Sequence, residues 1–265
     1  MRWRGPGVPA SIAVLVVVEA AALAPGLFTA ADPVRGAVTD RLLPPGAGHP
    51  FGTDELGRDL FARVVHGSAA SLSAAVLAVG IAVLAGSLLG LVAGTARGLV
   101  DDLVMRAVEV LLAVPSFLLV LVVVAVLGSG TGNVAIAVGV SAAAVFARIM
   151  RAEVIRVRGA GYVEAAAVSG VSRQAILVTH VLPNAASPVA ALAALELGNA
   201  ILTVAAVGFL GFGASPPEPE WGSLIAAGRS FLASAWWLTT LPGLVIVAVV
   251  LAVNHLGHTL RSENR

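Results

Sequence analysis

Few side chains in this 265-residue chain could do covalent or metal chemistry. There is no cysteine, hence no disulfide, no thiolate metal site and no sulfur nucleophile. All sixteen basic residues are arginine, so no P-loop Gly-Lys-Ser/Thr is present and ATP cannot be hydrolysed here by that route. None of the five histidines (His49, His66, His180, His255, His258) falls in the middle of an apolar run, and no carboxylates stand at metal-ligand spacing inside one. We therefore expect no metal, no cofactor and no catalytic residue. The net charge of +1 points to no class of partner, and nucleic acid is not expected among them. Two acids do lie within apolar runs, Glu19 and Glu196. A charge at the centre of a bilayer costs about 2.5–3.5 kcal/mol, so such a residue is a functional candidate by default. The alternative for Glu196 is a hydrogen bond to a neighbouring helix.

The most distinctive polar stretch is 162–184, reading YVEAAAVSGVSRQAILVTHVLPN. Glu164 suits the positive end of a starting helix. Ala165, Ala166 and Ala167 favour helix and leave a smooth packing surface. Gly170 can take the left-handed conformation that ends that helix. Ser172 can cap a second one running to His180, which Pro183, after Leu182, is expected to stop. Read from the residues alone, this is a helical hairpin, either a docking element or a plain connector between spans. The Glu-Ala-Ala, the later glycine and the closing Leu-Pro resemble the "EAA" loop of bacterial ABC importer permeases. That resemblance implies an ATPase-coupling role for Glu164, Ala165, Ala166, Gly170, Leu182 and Pro183.

The elements that would hold this loop are apolar. The chain is 58% hydrophobic and 12% charged, where a soluble domain has about 25% charged residues; mean hydropathy is +0.96. This is the composition of a polytopic membrane protein. Six spans are expected, at 11–23, 70–96, 103–127, 133–149, 185–208 and 238–253. The first is read as retained; a signal peptide cleaved near Thr29-Ala30-Ala31 is the alternative. In the second, Gly86, Gly90, Gly94 and Gly98 recur every four residues, a stripe that lets two helix backbones approach closely. Arg106 and Glu109, three apart, could pair on one face of the third span, which Pro115 should kink. Trp236 and Trp237 read as an interface belt. With the N-terminus inside, Arg35, Arg41, Arg58, Arg63 and Arg229 are the only outside arginines, and the other eleven lie inside. The excess obeys the positive-inside rule, giving cytoplasmic termini and a cytoplasmic 162–184 loop.

Two further stretches narrow the family. His49 to Asp59 reads HPFGTDELGRD, and Gly52, Thr53, Asp54, Gly57, Arg58 and Asp59 match the signature that precedes the second span in permeases of the dipeptide/oligopeptide/nickel group, C-type subunit. Ala69 stands where that group usually has arginine. The bland alternative for Asp54, Arg58 and Asp59 is a solvated loop with local ion pairs worth under about 1 kcal/mol; the match favours a structural, not a catalytic, role at the outer face. The stretch FLGFGASPPEPEWG after the fifth span and the ending Asn254-His255-Leu256-Gly257 are similar to the same group. The chain thus resembles a permease of that group over nearly its whole length. The resemblance implies an all-α type I ABC importer fold in a bacterial cytoplasmic membrane. Residues 1–69 would form an N-terminal helix and extracytoplasmic loop, and 70–265 the core permease, with the coupling loop at 160–183. Implied partners are a second permease subunit, two cytoplasmic ATPase subunits and an extracytoplasmic solute-binding protein. Peptides are the implied solutes, with nickel complexes or glutathione as alternatives. A secondary transporter driven by an ion gradient is the reading from another class, and it lacks the inverted repeats such proteins often show.

Overall fold

The computed structural model describes residues 7–96 and 98–263. Arg2, Arg4, Arg97 and Arg265 of the arginine count lie outside those residues. Among the described residues ten α-helices follow one another, and the only strand-like pairing is an isolated bridge between Thr53 and Asp59.

Helix α1 (Gly7–Leu23) has 17 residues, at the short limit for crossing a bilayer, and packs against α2 and α10. Helix α2 (Leu60–Ala96) has 37 residues, about 55 Å of helix against a hydrocarbon layer of about 30 Å. The expected start at residue 70 is therefore too late. Asp59 begins the helix ten residues earlier: its carboxylate accepts the Ala62 N–H at 2.7 Å, and its carbonyl accepts the Arg63 N–H at 3.1 Å.

The third apolar stretch is not one kinked helix. Helices α3 (Leu99–Ala113) and α4 (Ser116–Leu127) meet at 97°. Val114 is extended, with φ −88° and ψ 133°, as sterics before a proline require, and Pro115 continues at ψ 125°. The Arg106–Glu109 pair that the spacing allows does not form; Asp101 on α3 instead holds Arg151 through two hydrogen bonds of 2.5 and 2.7 Å. Helix α5 (Thr131–Arg158) carries its charged end as continuous helix and is the most enclosed of the long helices.

Helices α6 (Gly161–Val168) and α7 (Arg173–Ile176) form the hairpin of the 162–184 loop. From α7 the chain continues without a break. A π turn (Leu177–Val181) leads into α8 (Leu182–Val207) and on to a second π segment (Gly208–Phe212), where Gly211 at φ +93° kinks the end of the 40-residue stretch. Pro183 thus does not end the helix, contrary to expectation. The wider turn before it is the reason: the Leu182 N–H bonds five residues back to Leu177, and Pro183 falls at the first turn of α8, where its missing N–H costs little. Nearby, the His180 carbonyl accepts the Asn184 side-chain amide at 2.6 Å. Helix α9 (Trp221–Gly228) is short, and α10 (Trp237–Glu263) closes the bundle, carrying Pro242 within its first two turns.

Four of these helical stretches are long and apolar enough to cross a membrane, and the bent α3–α4 pair makes five if it counts as one span. A count of six needs α1 as well. Among the described residues, two larger apolar cores stack along α2 and α5, and a smaller one joins Val108 of α3 to Ala144 and Ala147 of α5. Of the larger two, the first gathers Val204, Trp221, Leu238 and Val249; the second gathers Phe146, Val154, Val163 and Ile176. The second core supports the hairpin.

Candidate functional site

The hairpin is built by local rules. Helix α5 ends at Gly159, and Ala160 is extended before α6 begins. Glu164 lies in the first turn of α6 with its side chain exposed. Ala165 faces outward and Ala166 packs on the core beneath. Gly170 has φ +83°. The Val171 N–H bonds to the Ala166 carbonyl at 3.1 Å and the Gly170 N–H to Ala167 at 3.2 Å, the paired bonds of a Schellman C-cap. Ser172 then caps α7, its hydroxyl accepting the Ala175 N–H at 3.3 Å. Leu182 packs against the same core, and Pro183 is exposed.

Two arginines tie this end to the bundle. Arg158 donates at 2.8 Å to both the Gly94 and Thr95 carbonyls, holding the last turn of α2, and Arg151 pairs with Asp101 as described. Between the hairpin and the ends of α2 and α5 lies a groove of about 590 Å³, lined in part by Thr95, Arg158, Glu164, Arg173, Gln174 and Leu177. Beside it Val168 is 90% exposed and Tyr162 half-exposed. A short rigid hairpin with an exposed acid and exposed apolar side chains can receive another protein and pass its displacement to α5 and α8.

The glycine seam joins α2 to α5. A Cβ on Gly86 would stand 2.4 Å from the Ala143 carbonyl oxygen, and one on Gly90 2.3 Å from that of Ala147; one on Gly94 would stand 2.8 Å from the Val154 Cβ. Gly98 is outside this seam: it precedes α3 at φ +63° with open space around it.

At the other end, the 52–59 motif is a folded knot rather than a solvated loop. Thr53, Asp54, Arg58 and Asp59 are all buried. Gly52 and Gly57 take positive φ where a Cβ would strike the Leu43 and Ala37 carbonyls. Asp54 accepts the N–H groups of Leu56 and Arg58, both at 2.9 Å, and the Arg58 Nε–H at 2.6 Å. The Thr53 hydroxyl accepts the Leu43 N–H and donates to the Asp40 carbonyl. Asp59 caps α2 and holds the His49 ring at 2.8 Å. Arg63 reaches the Pro33 carbonyl at 2.7 Å and lies 3.5 Å from Asp54. Trp237 donates to the Thr53 carbonyl at 3.3 Å, so the knot also fixes the start of α10.

Sequence reasoning did not single out Glu220, which is fully buried. Its carboxylate caps α9, accepting the Gly222 N–H at 2.8 Å and the Ser223 N–H at 2.9 Å, and it accepts the Ser71 hydroxyl of α2 at 3.3 Å. The Ser71 oxygen in turn accepts the Trp221 N–H at 3.1 Å. Burial raises the Glu220 carboxyl above its ordinary range, and these hydrogen bonds oppose the rise. Gly208 and Gly213 press against this carboxylate, with a Cβ on Gly208 standing only 2.3 Å away.

Residues 86–261 match the family described as "Binding-protein-dependent transport system inner membrane component". The chain belongs to this family. The probable D,D-dipeptide transport system permease protein DdpC of Escherichia coli (strain K12) is 37% identical over 263 residues, covering 98% of this chain and 88% of that protein. The dipeptide transport system permease DppC of Alkalihalophilus pseudofirmus is 39% identical, covering 89% and 77%. The glutathione transport system permease GsiD of Pectobacterium atrosepticum is 39% identical, covering 82% and 72%. Among solved structures, the fold is similar to an inward-facing MetNI methionine ABC transporter, with TM-score 0.61 at 16% identity over 77% of this chain and 97% of that one.

As a binding-protein-dependent permease, the chain is the membrane component of an ABC importer. The matched region opens at Gly86 and runs through the seam, the hairpin and α8 to α10. The 52–59 knot and α1 lie before it, within the stretch shared with the E. coli relative.

Proposed function

We propose that the chain translocates dipeptides or related small solutes, working with a second permease subunit, two cytoplasmic ATPase subunits and an extracytoplasmic binding protein. The hairpin carries this reading. A capped α6, a positive-φ Gly170 and an exposed Glu164 form a stiff knob beside an open groove, mounted between α5 and the long α7–α8 path. ATPase closure pushes the knob. The α7–α8 path carries the push across the membrane, and the glycine seam keeps α2 and α5 moving as one body. Rigid elements packed this closely move as units.

The knot of residues 52–59 and the Glu220 cap stiffen the outer face, where the binding protein delivers solute. The arginine distribution supports cytoplasmic N- and C-termini. The dipeptide relatives support the solute class; glutathione, itself a short peptide, falls within it. ATP chemistry resides on the partners.

Co-purification tests the assembly. The tagged chain, expressed with its neighbouring transport genes, should bring down a second permease and ATPase subunits in fixed ratio. Recovery of the chain alone, folded and monodisperse, would refute it.

A further inference from the structure

The bend between α3 and α4 opens a cavity of about 430 Å³ between α4, α5 and α8. One wall is polar and comes from one face of α8: Glu196, Asn199 and Thr203, spaced three and four apart. Ser116 and Ser141 stand opposite, joined by a hydrogen bond of 3.2 Å from the Ser141 hydroxyl to the Ser116 carbonyl. Phe117 and others supply apolar surface.

Two features say this face does not meet lipid. Asn199 is exposed and Glu196 half-exposed near the middle of a 40-residue apolar stretch, where lipid contact would be costly. The extended Val114–Pro115 backbone beside the cavity interrupts a span, and open backbone at that depth is tolerated only under protein or against water. Within the described chain the Glu196 carboxylate has one partner, the Asn199 amide at 3.3 Å, and no cation within ion-pair distance. The site offers a carboxylate, an amide oxygen and hydroxyls, an acceptor-rich wall suited to an ammonium donor.

We propose that Glu196 and Asn199 form a way-station for a protonated primary amine on the translocation path, receiving the free amino group of a passing solute. This rests on the importer reading above, and it adds a charge preference inside the membrane subunit itself. A peptide with a free N-terminus carries such an ammonium; an N-acylated one does not. An acid held by a neutral amide rather than by arginine attracts the ammonium without binding it so tightly that release fails.

The absence of cysteine makes the test direct. Asn199→Cys is placed in the full complex in lipid vesicles. Its modification rate by 2-aminoethyl methanethiosulfonate, a small primary ammonium, is compared with that by the anionic 2-sulfonatoethyl reagent. The ammonium reagent should react faster by on the order of tenfold, beyond the ratio for a free thiol in solution, because a charged low-dielectric cleft concentrates counter-ions. Adding Glu196→Gln should abolish the preference, and Glu196→Asp should retain it, which separates charge from folding. No reaction with either reagent would mean that protein or lipid covers the face, and would overturn the proposal. Equal normalised rates, unchanged by Glu196→Gln, would overturn it too. If wild-type complex takes up no alanyl-alanine while the Glu196-dependent preference persists, the peptide reading fails and the amine site stands.

Discussion

Replacing Gly90 by alanine adds one methyl group at the tightest point of the α2–α5 seam. The new carbon would stand 2.3 Å from the Ala147 oxygen, 2.8 Å from the Met150 Cβ and 2.9 Å from the Arg151 nitrogen. Carbon–oxygen contacts settle at about 3.3–3.6 Å, so the helices must part by about 1 Å. None of the three atoms is the free end of a flexible side chain, and rotamer changes cannot relieve the clash. Alanine gains about 1 kcal/mol of helix propensity over glycine. Overpacking costs about 1–3 kcal/mol, and a gap of about 1 Å forfeits up to half the dispersion energy of the neighbouring contacts at Gly86 and Gly94. The net expectation is a loss of about 1–2 kcal/mol, with Gly90→Leu worse. Gly80 is the control: it lies on the same helix with nothing within 4 Å of an added Cβ, so Gly80→Ala should hold or raise stability by up to about 1 kcal/mol. Thermal midpoints of the detergent-solubilised protein, followed by size-exclusion recovery, should separate the two variants by several degrees, at about 2–4 °C per kcal/mol. Gly90→Ala melting with Gly80→Ala, at or above wild type, would refute the seam.

Three further outcomes are expected. In intact cells, Ser172→Cys should react with impermeant thiol reagents only after the cytoplasmic side is opened, and Ser215→Cys from outside; both residues are exposed, and labelling of both from one side contradicts the topology. Asp54→Asn should lower the yield of folded protein sharply, because breaking a buried pair costs about 3–5 kcal/mol and would leave Arg58 and Arg63 buried against a neutral group; near-normal recovery would show the knot is dispensable. Burial lifts the folded-state Glu220 carboxyl above its unfolded value, so its contribution to stability is fully present below the ordinary Glu range and declines as pH rises through the raised value. Wild type should therefore gain on Glu220→Gln in thermal midpoint between pH 7 and pH 5, and parallel pH profiles would contradict this.

Legibility in the sequence followed how local the physics was. Gly170 could be read because an alanine run, a glycine and a serine specify cap, turn and cap within eight residues. The seam could be read because four-residue spacing puts Gly86, Gly90 and Gly94 on one helix face, but not which helix would meet it. Pro183 misled because a stop signal is local, whereas the π turn that defeats it widens the helix one turn earlier. Pro115 announced a kink but not a right-angled break. The burial of Asp54, Arg58 and Asp59 was hidden, since a charged loop reads as solvated until Pro33, Leu43 and Trp237 close over it. Glu220 was invisible for the same reason: its partner Ser71 lies 149 positions away.

In the proposed assembly, the 162–184 hairpin transmits ATPase motion to the bundle. Gly170 sits at φ +83° with no neighbour within 4 Å of an added Cβ, so any effect of substitution there is backbone strain rather than steric clash. Valine is severely strained at positive φ, while asparagine tolerates it. The decisive measurement is binding-protein-stimulated ATP hydrolysis together with uptake in reconstituted complexes bearing Gly170→Val, Gly170→Asn or Glu164→Ala. Assembly should survive in all three. Gly170→Val and Glu164→Ala should hydrolyse ATP without responding to loaded binding protein and take up little solute, while Gly170→Asn should stay near wild type. Normal stimulation and uptake in Gly170→Val and Glu164→Ala would show the hairpin to be a connector only.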